Sequence, residues 1–366
     1  MSLPAAGRAL VFDPASGDFD LREIPLRSLR RGEILVRVQL SAICGSDLHT
    51  IRGRRDPGGQ IVLGHEICGA VAALGEGVTA DSLGRELREG DRVTWGIAAS
   101  CRRCFFCARG LPQKCVRLFK YGHETLDGDT PLSGGFAEYC YVVPGTPVYR
   151  LPAEIPDELA VFANCSLATM AAAVRRAELT PGDSVLIQGG GLVGLCAVAL
   201  SADRGAEVIA VVEPRQERLA LAGRFGATHT LNPAEEDGDP IPELCSVTPE
   251  GRGFDVAIEA CGAPEVVPEG IEALRVGGTY VLAGCVYPGC EADIDLQRVT
   301  TKMLRLLGQH NYAPIDLQEA LSLLRRAGRR FAFGRVVAAT YALDEIDAAL
   351  AHLERDRSAL RVALRP

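Results

Sequence analysis

The sequence predicts an α/β protein in which a β-rich domain is joined to a doubly wound domain with a parallel sheet. Three observations support this fold class. Short extended segments fill the chain up to about residue 155, and apolar strands alternate with helical stretches from Asp183 onward. The third observation is size, because 366 residues with 47% hydrophobic side chains suffice for about two domains.

The first domain is predicted from short extended segments that Gly, Pro and Asp residues separate. These segments are GRALVF, DFDLREI, EILVRVQLSAI, EICGAVAALG, DRVTWG and FAEYCYVVP. Such a pattern is typical of an all-β domain. We place this domain at residues 1–165, with a cysteine-rich lobe at about 96–120.

The second domain is predicted from apolar runs that alternate with stretches of helical period. The strand-like runs are SVLIQ, EVIAVV, THTL, FDVAIEA, TYVLAG and MLRLLG, and PRQERLALAGRFG is one of the helical stretches. Alternation of this kind predicts a parallel sheet covered by helices. We assign residues 166–310 to this domain and 311–366 to a tail, in which two amphipathic helices flank the extended segment GRVVAATY.

Charge and targeting features argue against nucleic acid, membranes and secretion. A net charge of −8 supplies no basic field for a phosphate backbone or an anionic membrane, so a small molecule is the expected partner. The N-terminal sequence lacks a charged segment followed by an apolar core, so we expect no secretory signal and a cytoplasmic location. The uncharged run Ser184 to Ala202 is long enough to span a membrane, but its glycines indicate a different role.

A compact group of cysteines predicts a structural metal site. Its members have the spacing C-x-x-C-x-x-C-x7-C, at Cys101, Cys104, Cys107 and Cys115. Thiolates this close on a short lobe can complete a tetrahedral zinc shell, and a shell with no open position is structural. Free thiols are the alternative, but four exposed thiolates in one loop would be prone to oxidation.

A glycine motif follows the first strand of the second domain. Gly189, Gly191 and Gly194 have G-x-G-x-x-G spacing between a buried strand and an apolar helix, where backbone can approach a pyrophosphate. The next strand ends at Glu213, where an acid can bind both ribose hydroxyls of NAD and repel a 2′-phosphate. Arg218 follows closely, so NADP is the less favoured alternative, and an α/β domain without a nucleotide is the other.

A second set of candidate metal ligands is dispersed along the chain. It consists of Cys44 in ICGSDLH, His65 and Glu66 in LGHE, and Cys165 in FANCSLAT. For each residue alone, ordinary packing is the alternative. Together, two thiolates and an imidazole form a catalytic zinc set with one position open for water or substrate.

With CGSDLH, GHE, the cysteine lobe and GGGLVG in this order, the chain resembles the zinc-dependent medium-chain alcohol dehydrogenase family over nearly its whole length. The resemblance implies a GroES-like catalytic domain, a Rossmann NAD-binding domain and a tail that returns to the catalytic domain. It also implies oxidation of an alcohol to a ketone or aldehyde, with one catalytic and one structural zinc. The strings LPQKCVRLFKYGHE, FANCSLATMAAA and LGQHNYAPIDL are similar to a subgroup that includes hydroxycamphor dehydrogenase and phosphonate-associated alcohol dehydrogenases, which implies a secondary or cyclic alcohol.

The resemblance further implies which residues hold the catalytic zinc. Cys44, His65 and Cys165 would be its ligands, and Glu66 would lie beside them or coordinate the metal transiently. Many relatives have Glu or Asp where this chain has Cys165, and the neighbouring Asn164 is a poorer alternative donor.

The same resemblance implies a proton relay, a cofactor site and a substrate pocket. Ser46 would contact the substrate oxygen and His49 would pass the proton to solvent, whereas Asp47 would position the zinc shell rather than act as the base. The residues implied to bind the cofactor are Thr169, Gly189, Gly191, Leu192, Val193, Gly194, Glu213 and Arg218. Those suggested for the pocket are Trp95, Ile97, Tyr121, His123 and Asn311, with a packed lobe histidine as the alternative for His123.

Two other functions compete with this hypothesis. The zinc-free branch of the same superfamily reduces quinones or activated alkenes, but Cys44, the GHE motif and Cys165 argue against it. A non-catalytic nucleotide-binding relative is the other alternative. The family also implies a homodimer or homotetramer, with subunits pairing through a sheet edge around Gly284 to Asp295.

Overall fold

The computed structural model describes residues 3–235 and 240–366. These residues form two compact units. The first is Met1–Cys165 with Ala313–Leu321 and Gly334–Pro366, and the second is Ser166–Tyr312 with Ser322–Phe333.

The N-terminal part of the first unit is built from short strands, as the sequence pattern predicts. The strands are β1 (Ala6–Phe12), β2 (Phe19–Pro25), β3 (Ile34–Ala42), β4 (Ile61–Val62), β5 (Glu66–Leu74), β6 (Arg92–Trp95), β7 (Ala98–Ala99), β8 (Phe119–Lys120), β9 (Tyr139–Val142) and β10 (Val148–Arg150). The helices are α1 (Gly45–Ile51), α2 (Phe105–Ala108) and α3 (Asp157–Ala160). A π-helical segment, Ala163–Leu167, follows α3.

The second unit alternates strands with helices. Its strands are β11 (Ser184–Gln188), β12 (Val208–Val212), β13 (His229–Leu231), β14 (Phe254–Glu259), β15 (Leu274–Leu282) and β16 (Arg305–Gly308). Its helices are α4 (Ala168–Arg176), α5 (Leu192–Asp203), α6 (Gln216–Phe225), α7 (Ile241–Ser246), α8 (Val267–Ala273) and α9 (Leu296–Thr301). The tail adds α10 (Pro314–Ala327), β17 (Val337–Ala342), α11 (Ile346–Arg355) and β18 (Arg361–Arg365).

The two units have different sheets. In the second, the strands form a parallel sheet in the order β13-β12-β11-β14-β15-β16, which is the doubly wound arrangement of dinucleotide-binding domains. In the first, the largest sheet has the order β10-β6-β5-β3-β18-β17, and β9 also pairs with β3. The sequence-based fold class, a β-rich GroES-like domain with a Rossmann domain, is confirmed.

Strand β18 is one of the elements that the sequence pattern misses. Its five residues, RVALR, pair in antiparallel with β3 and in parallel with β17, and four of them are buried. The C-terminus therefore contributes a central strand to the first unit.

The tail is divided between the units rather than belonging wholly to the first. Residues Ser322–Phe333 group with the second unit. Aromatic packing explains this, because the Phe333 ring lies 5.1 Å from that of Phe225 between centroids. Arg326 also pairs with Asp203, with 2.5 Å between Nη2 and Oδ2.

The segment expected to form a subunit-pairing edge is not a strand. Residues 284–295 have no strand structure, and β16 is the edge strand of the second unit's sheet. Pro288 and Gly289 account for this, because proline cannot donate to a ladder and Gly289 has a φ of +79°.

The long uncharged run in the second unit is divided between a strand and a helix. Ser184 to Ala202 forms β11, the glycine turn and most of α5. A different helical stretch, Asp157–Arg176, is long and apolar enough to cross a membrane, but 72% of it is buried inside the protein. Such burial is typical of a core helix.

Candidate active site and metal centres

Two thiols, an imidazole and a carboxylate converge in the first unit. The ligand atoms of Cys44, His65, Glu66 and Cys165 all lie within 4.8 Å of one another. The two sulfur atoms of Cys44 and Cys165 are 4.0 Å apart. Soft sulfur donors with an imidazole suit zinc, so the donor set fits the metal that the sequence predicts.

Local backbone conformation delivers His65 to this cluster. Gly64 has a φ of +89°, and a Cβ there would lie 2.5 Å from the Phe136 ring, so only glycine fits before the histidine. The side-chain amide of Asn164 donates to the carbonyls of His65 and Trp95, at 3.1 and 2.9 Å. Asn164 thus fixes the backbone around the ligands, a positioning role rather than the donor role weighed from the sequence.

The carboxylate of Asp47 positions both Cys44 and His65. Its Oδ2 accepts the backbone N–H of Cys44 at 2.9 Å, and its Oδ1 lies 3.2 Å from the His65 Nδ1 without hydrogen-bond alignment. Although burial opposes protonation, Asp47 and Cys44 raise the pKa of His65 to about 10. Because Asp47 faces Nδ1, the Nε2 atom is the one available to a metal, as in carboxylate–histidine–zinc arrangements.

A buried arginine from the last strand completes the surroundings of the cluster. Arg361, on β18, donates from Nε and Nη2 to the two carboxylate oxygens of Glu66, each at 2.7 Å. Its Nη2 also lies 3.5 Å from the Cys44 sulfur. The pKa of Cys44 is lowered by the hydrogen bond with Cys165 and, against the effect of burial, by Arg361. A lowered thiol pKa favours the thiolate, which is the form that binds metal.

The two relay candidates both lie on α1. Ser46 Oγ is 3.3 Å from the His65 Nε2, so its hydroxyl group faces the ligand cluster. His49 is partly exposed, and burial together with Arg54 lowers its pKa. At neutral pH the His49 imidazole is therefore uncharged and able to accept a proton.

The lobe cysteines form the second cluster. The sulfur atoms of Cys101, Cys104, Cys107 and Cys115 lie within 4.8 Å of one another. The backbone N–H groups of Cys101 and Arg117 donate to the Cys115 sulfur at 3.2 and 3.3 Å. A backbone hydrogen bond from Arg103 is the main cause that lowers the pKa of Cys101 to about 6. This geometry fits a tetrahedral four-thiolate zinc site with no open position.

The glycine turn and the acid after β12 meet in the second unit. A Cβ on Gly194 would lie 1.9 Å from the carbonyl oxygen of Gly189, so α5 can pack on the turn only without a side chain there. Glu213 is buried, and its Oε2 accepts the backbone N–H of Gly190 at 2.8 Å. Leu192 and Val193 form the first turn of α5, whereas Thr169 lies on α4.

Arg218 lies against the same turn. Its Cβ would be 3.2 Å from a Cβ on Gly190. Arg215 pairs with Glu213, at 2.8 Å between Nε and Oε1. The turn therefore has one buried carboxylate and two guanidinium groups around it.

The proposed pocket residues have different surroundings. Trp95 and Tyr121 are fully buried and stack edge to face, with 6.0 Å between ring centroids. The Tyr121 hydroxyl is 2.6 Å from Thr146 Oγ1, so its polar atom is already engaged. The Trp95 Nε1 is buried and has no hydrogen-bond partner among the described residues.

The remaining pocket candidates lie in both units. The His123 ring is 5.5 Å from the His65 ring between centroids, so this histidine adjoins the ligand cluster rather than the surface of the lobe. Ile97 is buried in the first unit. Asn311 belongs to the second unit and has a left-handed backbone, with a φ of +54°.

Sequence reasoning misses three basic residues around the first cluster. Arg361 lies in RVALR, which reads as an ordinary strand and carries no motif. Arg55 and Lys120 both interact electrostatically with Cys44 and Asp47. The pair of arginines in GRRD was a possible signal for Arg55.

Comparison with known proteins gives consistent matches along the chain. Residues 30–153 match the alcohol dehydrogenase GroES-like domain, and residues 193–327 match the zinc-binding dehydrogenase family. The chain is 30% identical to 5-exo-hydroxycamphor dehydrogenase of Pseudomonas putida over 90% of both chains. It is 29% identical to sorbitol dehydrogenase of Halalkalibacterium halodurans over 96% of both. The crystal structure of an alcohol dehydrogenase from Thermotoga maritima is similar with a TM-score of 0.92 and 28% identity, covering 99% of this chain and 100% of that one.

Proposed function

The chain belongs to the zinc-dependent medium-chain alcohol dehydrogenase family, and on this premise we propose that it oxidises a secondary or cyclic alcohol with NAD as hydride acceptor. The observation that carries the proposal is the cluster of Cys44, His65 and Cys165, with the Ser46 hydroxyl against His65 Nε2. A zinc-free reductase would not require two thiols and an imidazole within 4.8 Å of one another.

Within the first unit, Ser46 and His49 take part in removing the alcohol proton. Cys44, His65 and Cys165 would hold a zinc ion whose Lewis acidity would lower the pKa of the alcohol, and NAD would be the hydride acceptor. The Ser46 hydroxyl accepts the alcohol proton and donates its own onward. The uncharged imidazole of His49 then takes up a proton and releases it to solvent.

The remaining assignments complete the proposal. Residues 1–165, 313–321 and 334–366 form the catalytic domain, and residues 166–312 with 322–333 form the NAD-binding domain. The lobe cysteines hold a second, structural zinc, for a total of two zinc ions per chain. The protein is a cytoplasmic homodimer or homotetramer.

Zinc content and dehydrogenase activity together test the function. We expect about two zinc ions per chain by metal analysis, matching the two clusters. NADH should form with secondary and cyclic alcohols, disappear after treatment with a strong chelator and return when zinc is added back. Turnover that persists after complete metal removal would contradict the proposal and favour the zinc-free reductase chemistry.

The preference for NAD is proposed to depend on Glu213. Its buried carboxylate lies at the glycine turn, where it favours ribose hydroxyls and repels a 2′-phosphate. With Glu213 replaced by Ser, Arg215 loses its carboxylate partner and its guanidinium becomes available to a phosphate.

We therefore expect Glu213→Ser to raise the ratio of kcat/KM for NADP to that for NAD by roughly ten- to a hundredfold, the effect of one charge-assisted hydrogen bond gained and one lost. Steady-state kinetics with both cofactors measure this ratio. Glu207→Ser, in the same unit before β12, is the control and should leave the ratio unchanged. An unchanged ratio in Glu213→Ser would mean that Glu213 is not the ribose ligand.

A further inference from the structure

Two basic side chains near the Cys44–His65 cluster have no carboxylate within ion-pair distance in the described part of the chain. They are Arg55, which follows α1, and Lys120, at the end of β8. The Arg55 guanidinium is held by two uncharged acceptors, the Thr50 hydroxyl through Nη2 and the His123 ring through Nη1. Its positive charge is thus positioned but not neutralised.

The His123 ring fixes Arg55 without adding charge. The Nδ1 of His123 lies 2.9 Å from the carbonyl oxygen of Tyr121, which can only accept a hydrogen bond, so Nδ1 carries the proton. The Nε2 atom then accepts from Arg55 Nη1 at 2.5 Å. Burial, Lys120 and His65 all lower the pKa of His123, which keeps the ring neutral. The His123 ring therefore contacts the Arg55 guanidinium and lies 5.5 Å, between ring centroids, from His65, one of the candidate zinc ligands.

Lys120 is connected to His123 through the backbone. It pairs with Ala98 in the small β7–β8 sheet, and its carbonyl oxygen accepts the backbone N–H of His123 at 3.1 Å. Burial and the positive charge of Arg55 lower the pKa of the Lys120 ammonium, whereas Cys165 and Cys44 act in the opposite direction. The two cations thus repel each other beside the candidate zinc ligands.

The nearby carboxylates are engaged elsewhere. Asp47 accepts from the Cys44 backbone and faces His65, and both oxygens of Glu66 are bound by Arg361. Glu124 accepts the backbone N–H of Lys120 at 2.8 Å. Within the described residues, none of these carboxylates forms an ion pair with the Arg55 guanidinium or the Lys120 ammonium. Holding partly buried cations together without a counterion costs free energy, so their retention points to an anion that binds there.

We propose that Arg55 and Lys120 bind an anionic group of the substrate, so that the alcohol oxidised here also carries a phosphate, phosphonate or carboxylate. The inference rests on the proposed dehydrogenase function and names the substrate class of the same site. Arginine presents a planar fork of donors that matches such oxyanions, and lysine adds a flexible point charge. A bound anion also relieves the repulsion between the two cations.

Matched pairs of charged and uncharged alcohols test this inference on the zinc-loaded enzyme. Hydroxypropylphosphonate is compared with its dimethyl ester, and hydroxybutyrate with its methyl ester. We expect kcat/KM to be at least about tenfold higher for an acid than for its ester, because a charge-assisted contact is replaced by a neutral one. The pair with the larger ratio tells whether the tetrahedral or the planar anion is preferred.

Three variants assign the effect to the two cations. Arg55→Gln and Lys120→Gln should each lower kcat/KM for the preferred acid by about tenfold or more, mainly through KM, and change that for the ester by less than about twofold. The control is Arg31→Gln, which removes an exposed charge from the same unit and should leave both substrates unaffected. A loss with Arg31→Gln equal to that with Arg55→Gln would overturn the inference, because it would reveal a long-range field rather than a binding site.

Inhibition of the unmodified enzyme by small anions tests the inference without any variant. Methylphosphonate and acetate should inhibit oxidation of an uncharged alcohol, at least one of them competitively against that alcohol and neither against NAD. Absence of inhibition, or competition with NAD alone, would contradict the inference, the latter by assigning the cations to the cofactor pyrophosphate. If NADH forms from uncharged alcohols and anionic alcohols are not preferred, this inference is wrong and the proposed function stands. If no alcohol gives NADH, the proposed function itself is wrong.

Discussion

Replacing Cys44 by Ser is expected to remove one of the two zinc ions and to lower kcat/KM for alcohol oxidation by about a thousandfold or more, while the lobe zinc stays bound. The sulfur of Cys44 is one of only two in its cluster, 4.0 Å from that of Cys165. A serine hydroxyl stays protonated at neutral pH and is a far poorer zinc ligand than a thiolate.

The size of the loss follows from what the metal supplies. Lewis acidity contributes several kcal/mol of stabilisation to charge developing on the substrate oxygen, and each 1.36 kcal/mol is about tenfold in rate. Ser46 and His49 remain in place in the variant, but neither can stabilise an alkoxide as a metal does. Proton relay alone should therefore leave little activity.

Two further variants show whether the effect belongs to this cluster. Cys140→Ala removes a buried thiol of the same unit whose pKa is raised by burial, so it stays protonated and outside both clusters; it should keep two zinc ions and full activity. Cys104→Ser should release the lobe zinc and lower the thermal midpoint rather than abolish chemistry at low temperature. Equal zinc content in Cys44→Ser and the unmodified protein would contradict the assignment of Cys44 as a ligand.

Local sequence patterns were sufficient to predict the fold class and to identify the candidate metal ligands. Two of these features are local: the cysteine spacing within fifteen residues and the position of Gly189 directly after a strand. Both can be identified in a short stretch of sequence without the structure. The parallel sheet of the second unit also follows from strand–helix alternation. The family was recognised from the same motifs, and its profile and relatives confirm it.

Features that depend on long-range pairing were not predictable. Arg361 is separated from Glu66 by 295 positions along the chain, and nothing in a short strand signals that its arginine will be buried. Likewise, the packing of Phe333 on Phe225 divides the tail between the units, which hydrophobic period alone does not reveal. The partial burial of Lys120 is likewise a property of the paired strand β8 and not of its local sequence.

The ion pair of Arg361 with Glu66 is expected to have the largest effect on stability. Glu66 is fully buried and both its oxygens are bound by Arg361, so Arg361→Met leaves an uncompensated carboxylate in the protein interior. Breaking a buried pair from one side typically costs about 3–5 kcal/mol, and we expect a decrease of this size in the free energy of unfolding. Urea unfolding of the zinc-loaded protein measures it.

The same strand offers a matched control for this prediction. Arg365, also on β18, pairs with Glu158 at 3.2 Å, but both side chains are about half exposed, 48% and 47%. Exposed pairs contribute about 0–1 kcal/mol, so Arg365→Met should change the free energy of unfolding by no more than that. A loss in Arg365→Met as large as that in Arg361→Met would mean that shortening the side chain on β18, not the buried charge, is responsible.

A double variant separates the charge from the packing at this position. Arg361→Met combined with Glu66→Gln removes both charges while keeping the side-chain volumes similar, so most of the stability lost in Arg361→Met should return. The coupling free energy of this cycle should be about 2 kcal/mol or more, the upper range for groups in direct contact. Arg361 Nη2 also lies 3.5 Å from the Cys44 sulfur. The double variant should therefore remain stable, but its affinity for zinc at the Cys44–His65 cluster should differ from that of the unmodified protein. If the losses of Arg361→Met and Glu66→Gln add up in the double variant, Glu66 and Arg361 stabilise the unit independently.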